Sequence, residues 1–208
     1  NVFEKCESLR KCSINLTDGV DRDSAWNLGS FLLDLKDATA DSKKYGFDLI
    51  CKSASLNHAD SQWELANCYK YGRNCEINTA IYIYWLEKSA FNMNFQAMCR
   101  LGTELIMGKN ITQDYKRAYQ LLSDVEKSLK GVLACKGKHF APLGFLYERG
   151  LWVKKDLKKA IEYYINGAKR KDPTAQFYLG RCYEKGIGVD VDLQKAKEHY
   201  EAAKEHYR

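Results

Sequence analysis

The sequence predicts an all-α fold, an α/α superhelical solenoid of about five helix-turn-helix repeats with an N-terminal capping helix. A motif that begins with Leu-Gly or Leu-Ala recurs along the 208 residues, and its second residue stands at positions 29, 66, 102, 144 and 180. Apolar residues within each copy recur at helical spacing. A glycine follows most of these stretches, and in three copies an aspartate precedes the next apolar stretch. Self-similarity at a period of about 36 residues is typical of stacked helical repeats.

The last copy shows how each repeat is built. Ala175, Leu179 and Tyr183 are spaced four residues apart, so they lie along one face of a first helix. Gly180 beside Leu179 leaves room for a neighbouring helix to approach. Gly186 is expected to end this helix in the left-handed conformation, as Gly150 does one repeat earlier.

Aspartates mark where the helices of each repeat begin. Asp114, Asp156 and Asp192 stand just before the second apolar-periodic stretch of their repeats, where a carboxylate accepts hydrogen bonds from unpaired backbone N–H groups. Asp172 followed by Pro173 is typical of an N-cap with proline at the first helical position. These aspartates are therefore interpreted as helix caps and not as catalytic acids.

A single helical pair cannot bury both of its apolar faces, so the pairs are expected to stack with a concave inner surface. The step from 102 to 144 is about six residues longer than the others, which places an insertion with a specialised role near residues 127–138. The predicted organisation is a capping segment at 1–23 and repeats at about 24–58, 59–92, 93–137, 138–171 and 172–208.

Composition and charge limit the class of protein. The chain is 45% hydrophobic and has no apolar run near the roughly 18 residues that a membrane span requires. Its net charge is +6, of which residues 138–208, with 15 basic and 10 acidic side chains, supply +5. This mild excess without a nucleic-acid-binding signature favours an acidic protein partner over a nucleic acid.

Eight cysteines favour disulfide bonds and therefore an oxidising compartment. The chain has no C-x-x-C pair and its four histidines are scattered, so neither a metal site nor another cofactor is expected. The chain starts at Asn1 without methionine, as a mature exported chain would, and a periplasmic or secreted location is predicted. Buried free thiols are the alternative. The possible pairs are Cys6 with Cys12, and Cys68 with either Cys75 or Cys51. Pairing Cys68 with Cys75 leaves Cys51 with Cys99 and Cys135 with Cys182.

No catalytic motif can be assembled, since the Gly-x-Ser-x-Gly, His-Glu-x-x-His and phosphate-loop patterns are absent from the sequence. The protein is therefore predicted not to be an enzyme. Residues of the first helices that point away from the apolar stripe vary between repeats and are expected to face a partner on the concave surface. They are Asn27, Glu64, Asn67, Tyr71, Arg100, Thr103, Met107, Arg149, Tyr178, Arg181 and Lys185.

The pattern Leu-Gly-x-x-Tyr-x-x-Gly-x-Gly-Val, followed by Asp-x-x-Lys-Ala, resembles the Sel-1-like repeat, a relative of the tetratricopeptide repeat. Residues 175–203 carry it almost completely, and residues 24–58 match it poorly. The resemblance implies a scaffold, adaptor or inhibitor that binds other proteins. Its most specific form is an immunity protein that neutralises an exported antibacterial effector. The alternatives are an assembly adaptor of an envelope or secretory-pathway complex and, ranked last, a weak β-lactam-binding hydrolase of the cysteine-rich type.

Overall fold

A computed structural model describes residues 19–37 and 39–205. The chain forms two compact units, Asn1–Met98 and Cys99–Arg208. The helices of the first unit are α1 (Arg22–Asp34), α2 (Ala40–Ser55), α3 (Ala59–Tyr71) and α4 (Thr79–Phe91). Helix α5 (Phe95–Met107) contains the boundary between the units. The second unit continues with α6 (Tyr115–Lys127), α7 (Leu129–Ala134), α8 (Phe140–Arg149), α9 (Leu157–Lys169), α10 (Pro173–Lys185) and α11 (Leu193–Glu205). Within the described residues the structure is helical without strands, which confirms the predicted all-α class. Most of the predicted capping segment lies outside the described residues.

The same hairpin turn joins the two helices of four repeats. In each, the residue before the second helix donates its backbone N–H to a carbonyl of the first helix at 2.9–3.1 Å, and its own side chain caps the second helix. The capping residues are Asn78, Asp114, Asp156 and Asp192. The predicted cap at Asp172, with Pro173 in the first turn, is also present. Short-range sequence signals therefore define these turns.

Glycine at the motif position lets the two helices of a repeat approach closely. A Cβ atom placed on Gly144 would lie 2.5 Å from Cε1 of Tyr164 on α9. A Cβ on Gly180 would lie 3.0 Å from the ring of Tyr200 on α11, and one on Gly102 would lie 2.8 Å from Leu122 on α6. Cβ atoms essentially never approach other atoms at 2.5 Å, so the packing of α8 on α9 requires glycine.

Hydrogen bonds between side chain and backbone join successive repeats. Gln62 Nε2 donates to the carbonyl of Ala54 at 3.0 Å, and Gln176, at the same position of a later repeat, donates to Ala168 at 3.1 Å. Each glutamine lies four residues before the motif glycine or alanine. The shared position indicates that the repeats stack by one rule within each unit.

The insertion forms a short helix of its own. Helix α7 follows α6 directly, and Cys135 ends it. A tight turn at Lys136 and Gly137, both with positive φ, then leads into α8. The extra residues of the long step therefore build a helix and a turn within the second unit, and not a simple extension of α6.

Candidate functional site

Ten of the eleven predicted partner-binding residues, all except Asn27, share one register on the first helices, and the same register adds Pro142 and Phe145. They lie eight, five and one positions before the glycine that ends each helix, at spacings that place them on one helical face. We call these positions the variable stripe. They are Glu64, Asn67 and Tyr71 on α3; Arg100, Thr103 and Met107 on α5; Pro142, Phe145 and Arg149 on α8; and Tyr178, Arg181 and Lys185 on α10.

In the first unit the stripe ends in an exposed aromatic side chain. Tyr71 is 56% exposed, with the Nζ atom of Lys70 lying 5.6 Å from its ring centroid. Glu64 is half-buried and pairs with Arg73 at 2.8 Å. Asn27, the candidate on α1, is exposed. Tyr71 is thus the largest apolar surface that these candidates offer in this unit.

On α5 the stripe passes from half-buried to exposed side chains. Thr103 donates its hydroxyl to the carbonyl of Cys99 at 3.0 Å, and Arg100 is half-buried. Met107, the last residue of the helix, is 60% exposed. Met107 is therefore the α5 candidate most accessible to a partner.

A buried carboxylate organises the stripe between α8 and α10. Glu148 on α8 accepts hydrogen bonds from the guanidinium of Arg181 and, at 2.8 Å, from the hydroxyl of Tyr164. The Arg181 guanidinium also lies 4.8 Å from the ring centroid of Tyr178, and Tyr178 stacks on Tyr164 with centroids 5.3 Å apart. Burial, followed by the charge of Glu148, raises the pKa of Tyr164. Arg181 and Tyr178 are thus held within the unit, while Lys185 is exposed.

Sequence reasoning missed Phe145 and Glu148. Phe145 occupies the α8 position that corresponds to Arg181, and its ring lies 6.0 Å from that of Tyr178. The guanidinium of Arg149 lies 5.8 Å from the Phe145 ring. Strict use of the spacing before Gly150 would have found Phe145. Glu148 has no such signal, because its partners come from other helices.

The first unit contains three cysteines, Cys51, Cys68 and Cys75, none of which forms a disulfide bond in the structure. Burial raises the pKa of the Cys51 thiol, and Asp48, Cys68 and Cys75 add to the effect. Burial also raises the pKa of Cys68 to about 12. The structure forms no bond between Cys68 and either of the partners considered for it, so both pairings stay predictions. Cys6 and Cys12 lie outside the described residues.

In the second unit the structure brings together Cys99, Cys135 and His139. The two Sγ atoms are 2.6 Å apart, and one ligand atom of each residue lies within 4.8 Å of the others. All three residues are buried. No metal site was expected from the sequence, and the remaining pairs were Cys135 with Cys182 and Cys99 with Cys51, whereas the structure brings Cys99 and Cys135 into contact. Cys182 lies on α10, where burial raises the pKa of its thiol to about 11.

The surroundings of His139 and Cys99 decide their protonation. Burial, aided by the charge of Arg170, lowers the pKa of His139 to about 4. The pKa of Cys99 is raised by its contact with Cys135 and by burial. At neutral pH the imidazole is therefore uncharged and the Cys99 thiol keeps its proton.

None of the helices in the described part of the chain has the length and apolar character that crossing a bilayer requires.

Comparison with solved structures places the fold among helical repeat proteins. A Sel1 repeat protein from Oxalobacter formigenes superposes with a TM-score of 0.69 and 21% identity, over 98% of this chain and 82% of its own. The protein c5321, a protective antigen of uropathogenic Escherichia coli with an SLR fold, gives a TM-score of 0.68 and 19% identity over 100% of this chain and 42% of its own. Both likenesses support the predicted solenoid.

Among curated proteins, chitin synthase regulatory factor 3 of Schizosaccharomyces pombe is 29% identical over 139 residues, or 62% of this chain. The match spans only 14% of the length of that relative. The Sel1 repeat family matches five segments, at residues 22–58, 59–90, 95–123, 143–172 and 173–206. Sel1 repeats mediate protein–protein interaction, generally as non-enzymatic scaffolds, and the chain belongs to the Sel1 repeat family.

Proposed function

We propose that this protein is an adaptor that binds an acidic partner protein through its variable stripe. The observation that carries the proposal is a contrast within the repeats. The turns that follow α3, α5, α8 and α10 share the same hydrogen bonds, yet the residue before each turn changes from Tyr71 to Met107, Arg149 and Lys185. A constant framework with variable exposed residues is the arrangement by which repeat proteins recognise partners.

The charge of the stripe supports an acidic partner. Its nine positions in the second unit carry four cations, Arg100, Arg149, Arg181 and Lys185, and no carboxylate. Glu148 pairs with Arg181 and, at 3.5 Å, with Arg149, so the four cations and this one carboxylate leave a net charge of +3 (four minus one). Complementary charge of this kind speeds association and selects among partners.

The name of the fission-yeast relative supports a regulatory or adaptor role over an enzymatic one. That protein is a regulatory factor for chitin synthase, and the region similar to this chain is a small part of it. By analogy, we propose that this chain supplies the binding segment of a regulatory assembly.

The test is site-specific crosslinking in extracts of the native organism. A photoreactive residue is placed at position 107 or 185, and the matched control carries it at position 158, an exposed lysine of α9. Adducts with one partner protein at 107 and 185, but not at 158, are expected. Equal labelling from position 158, or no protein adduct from the stripe, would refute the proposal.

Charge reversal then tests the chemistry of the partner. Lys185→Glu is expected to weaken binding of the captured partner by about tenfold, which corresponds to about 1.4 kcal/mol. Lys158→Glu makes the same change in net charge away from the stripe and should leave the affinity within about twofold. Equal losses for the two variants would show that only the net charge matters.

A second candidate is an exported immunity protein of the periplasm or secretory route. The favouring observations are the even number of cysteines and the electrostatic effect of Cys68 and Cys75 on the pKa of Cys51. Here the partner would be an antibacterial effector. Co-expression of this protein with the toxin or lipase encoded by a neighbouring gene should restore growth. This role is contradicted if growth is not restored and all thiols of the native protein are found reduced.

A further inference from the structure

We propose that Cys99, Cys135 and His139 form a binding site for one thiophilic metal cation, with zinc as the probe. The three residues come from three places in the chain, namely helix α5, the end of α7 and the start of α8. Two sulfur ligands and an imidazole nitrogen are a donor set that zinc and other soft cations prefer. The site is independent of the proposed partner binding.

The unsatisfied state of His139 points to a ligand. Its side chain is 0% exposed, and neither Nδ1 nor Nε2 has a hydrogen-bond partner among the described residues. A buried polar atom without a partner is unfavourable, because it has lost its hydrogen bonds to water and gained none from the protein. Phe140 contacts the ring, with centroids 4.0 Å apart, but offers no polar atom to it. A bound cation would give one ring nitrogen the partner that the protein does not supply.

The inserted segment is shaped to present two of the ligands together. The N–H of Lys138 donates to the carbonyl of Cys135 at 3.0 Å, and the N–H of Phe140 donates to Gly137 at 3.0 Å. These bonds close a tight turn between Cys135 and His139. Gly137 has a φ of 85°, and a Cβ there would lie 2.6 Å from Cδ of Arg170. Only glycine therefore allows this turn to pack against Arg170.

The charges balance when a cation binds here. Among the described residues no protein group engages either ring nitrogen of His139, so a neutral imidazole can offer one of them to a cation. The two thiols each lose a proton when they bind the cation, so one divalent cation enters and two protons leave. The net charge of two thiolates and one divalent cation is zero, which removes the cost of burying isolated charges.

The distance between the sulfur atoms defines the adjustment that binding requires. Zn–S bonds of about 2.3 Å at a tetrahedral angle hold two sulfurs about 3.8 Å apart, compared with 2.6 Å here. Binding therefore requires the two sulfur atoms to move apart by about 1.2 Å. The competing structure is a Cys99–Cys135 disulfide, which would leave both His139 nitrogens unpaired. The three ligands leave a fourth tetrahedral position for a water molecule.

Cobalt(II) titration of the fully reduced full-length chain tests the site, since cobalt(II) replaces zinc and reports its ligands by absorption. We expect one equivalent per chain, a thiolate-to-cobalt charge-transfer band and bleaching on addition of zinc. Cys99→Ser, Cys135→Ser and His139→Gln should each weaken zinc binding by more than the roughly 10- to 100-fold that loss of an outer-shell partner costs. Cys182→Ser, which alters a buried cysteine of the same unit, is the matched control and should bind as the unchanged protein does.

Two results of the metal titrations would overturn the proposal. One is the absence of thiolate-to-cobalt absorption in the reduced, folded wild-type chain. The other is an equal loss of binding in Cys182→Ser, which would place the metal elsewhere. Peptide mapping without reductant adds a third outcome against it, because a Cys99–Cys135 disulfide in metal-free native protein would show that the pair serves as a crosslink. The wild-type spectrum decides the question even if a variant fails to fold.

Discussion

Replacement of Gly144 by alanine should destabilise the second unit, although alanine is the better helix former. The new Cβ would lie 2.5 Å from Cε1, 2.8 Å from Cδ1 and 3.1 Å from Cζ of Tyr164. The Tyr164 ring cannot move aside easily, because it is 0% exposed, stacks on Tyr178 and donates its hydroxyl to Glu148. The substitution therefore forces a rigid part of the core to rearrange.

The expected magnitude follows from two opposing effects. Overpacking of a well-packed core costs about 1–3 kcal/mol, and the upper value applies because three ring atoms are contacted at once. Alanine returns about 1 kcal/mol of helix propensity relative to glycine. The net loss in the free energy of unfolding is thus about 2 kcal/mol, equivalent to a fall of about 4–8 °C in Tm for a chain of this size.

Gly180→Ala is the matched control, since the position is equivalent in the next repeat. The added Cβ would lie 3.0 Å from the ring of Tyr200, which is half-buried on α11, and 3.1 Å from the carbonyl oxygen of Ala196, so its contacts are milder than those at Gly144. A change within about 1 kcal/mol of zero is expected there. Thermal and urea unfolding followed by circular dichroism measure both variants. If Gly144→Ala is as stable as the unchanged protein, the argument from close helix packing is wrong.

Three further predictions concern caps and buried charge. Burial lowers the pKa of His58, whose neutral Nδ1 caps α3 by accepting from Ser61. As pH falls below about 6.5, the unfolded chain therefore takes up this proton before the folded chain does, so the free energy of unfolding should decrease. The decrease should be smaller in His58→Asn, and urea titrations at pH 7 and pH 5 measure both. Asp156→Ala should cost about 1 kcal/mol of unfolding free energy, whereas Asp156→Asn should be near neutral. Glu148→Ala leaves the Arg181 guanidinium without its buried partner and should cost about 3–5 kcal/mol; a loss below 1 kcal/mol in thermal unfolding would contradict that assignment.

The sequence was sufficient to predict the repeat architecture because its signals are local. Asp114, Asp156 and Asp192 each accept a hydrogen bond from the backbone N–H group three residues later in the chain. Gly150 and Gly186 adopt the left-handed conformation that was expected of them. Contacts within one turn of a helix can be read from spacing alone.

The site was harder to predict because its decisive contacts are long-range. Arg181 was expected to face a partner, yet its carboxylate partner Glu148 lies 33 positions earlier, on a different helix. The same reason applies to Cys99 and Cys135, which are 36 residues apart. A search for closely spaced metal ligands cannot find a site in which one donor, Cys99, lies 36 residues before the next donor, Cys135.

The recurring turn also bears on how such a protein can change its specificity. In each hairpin a glycine and a capping side chain fix the turn. The exposed residue before the glycine, which is Tyr71, Met107 or Lys185, is not one of the residues that form the turn. A substitution there alters recognition in one module and leaves its neighbours intact. New ligands could therefore be acquired module by module, and a combinatorial library at these positions is a practical starting point for redirecting the protein.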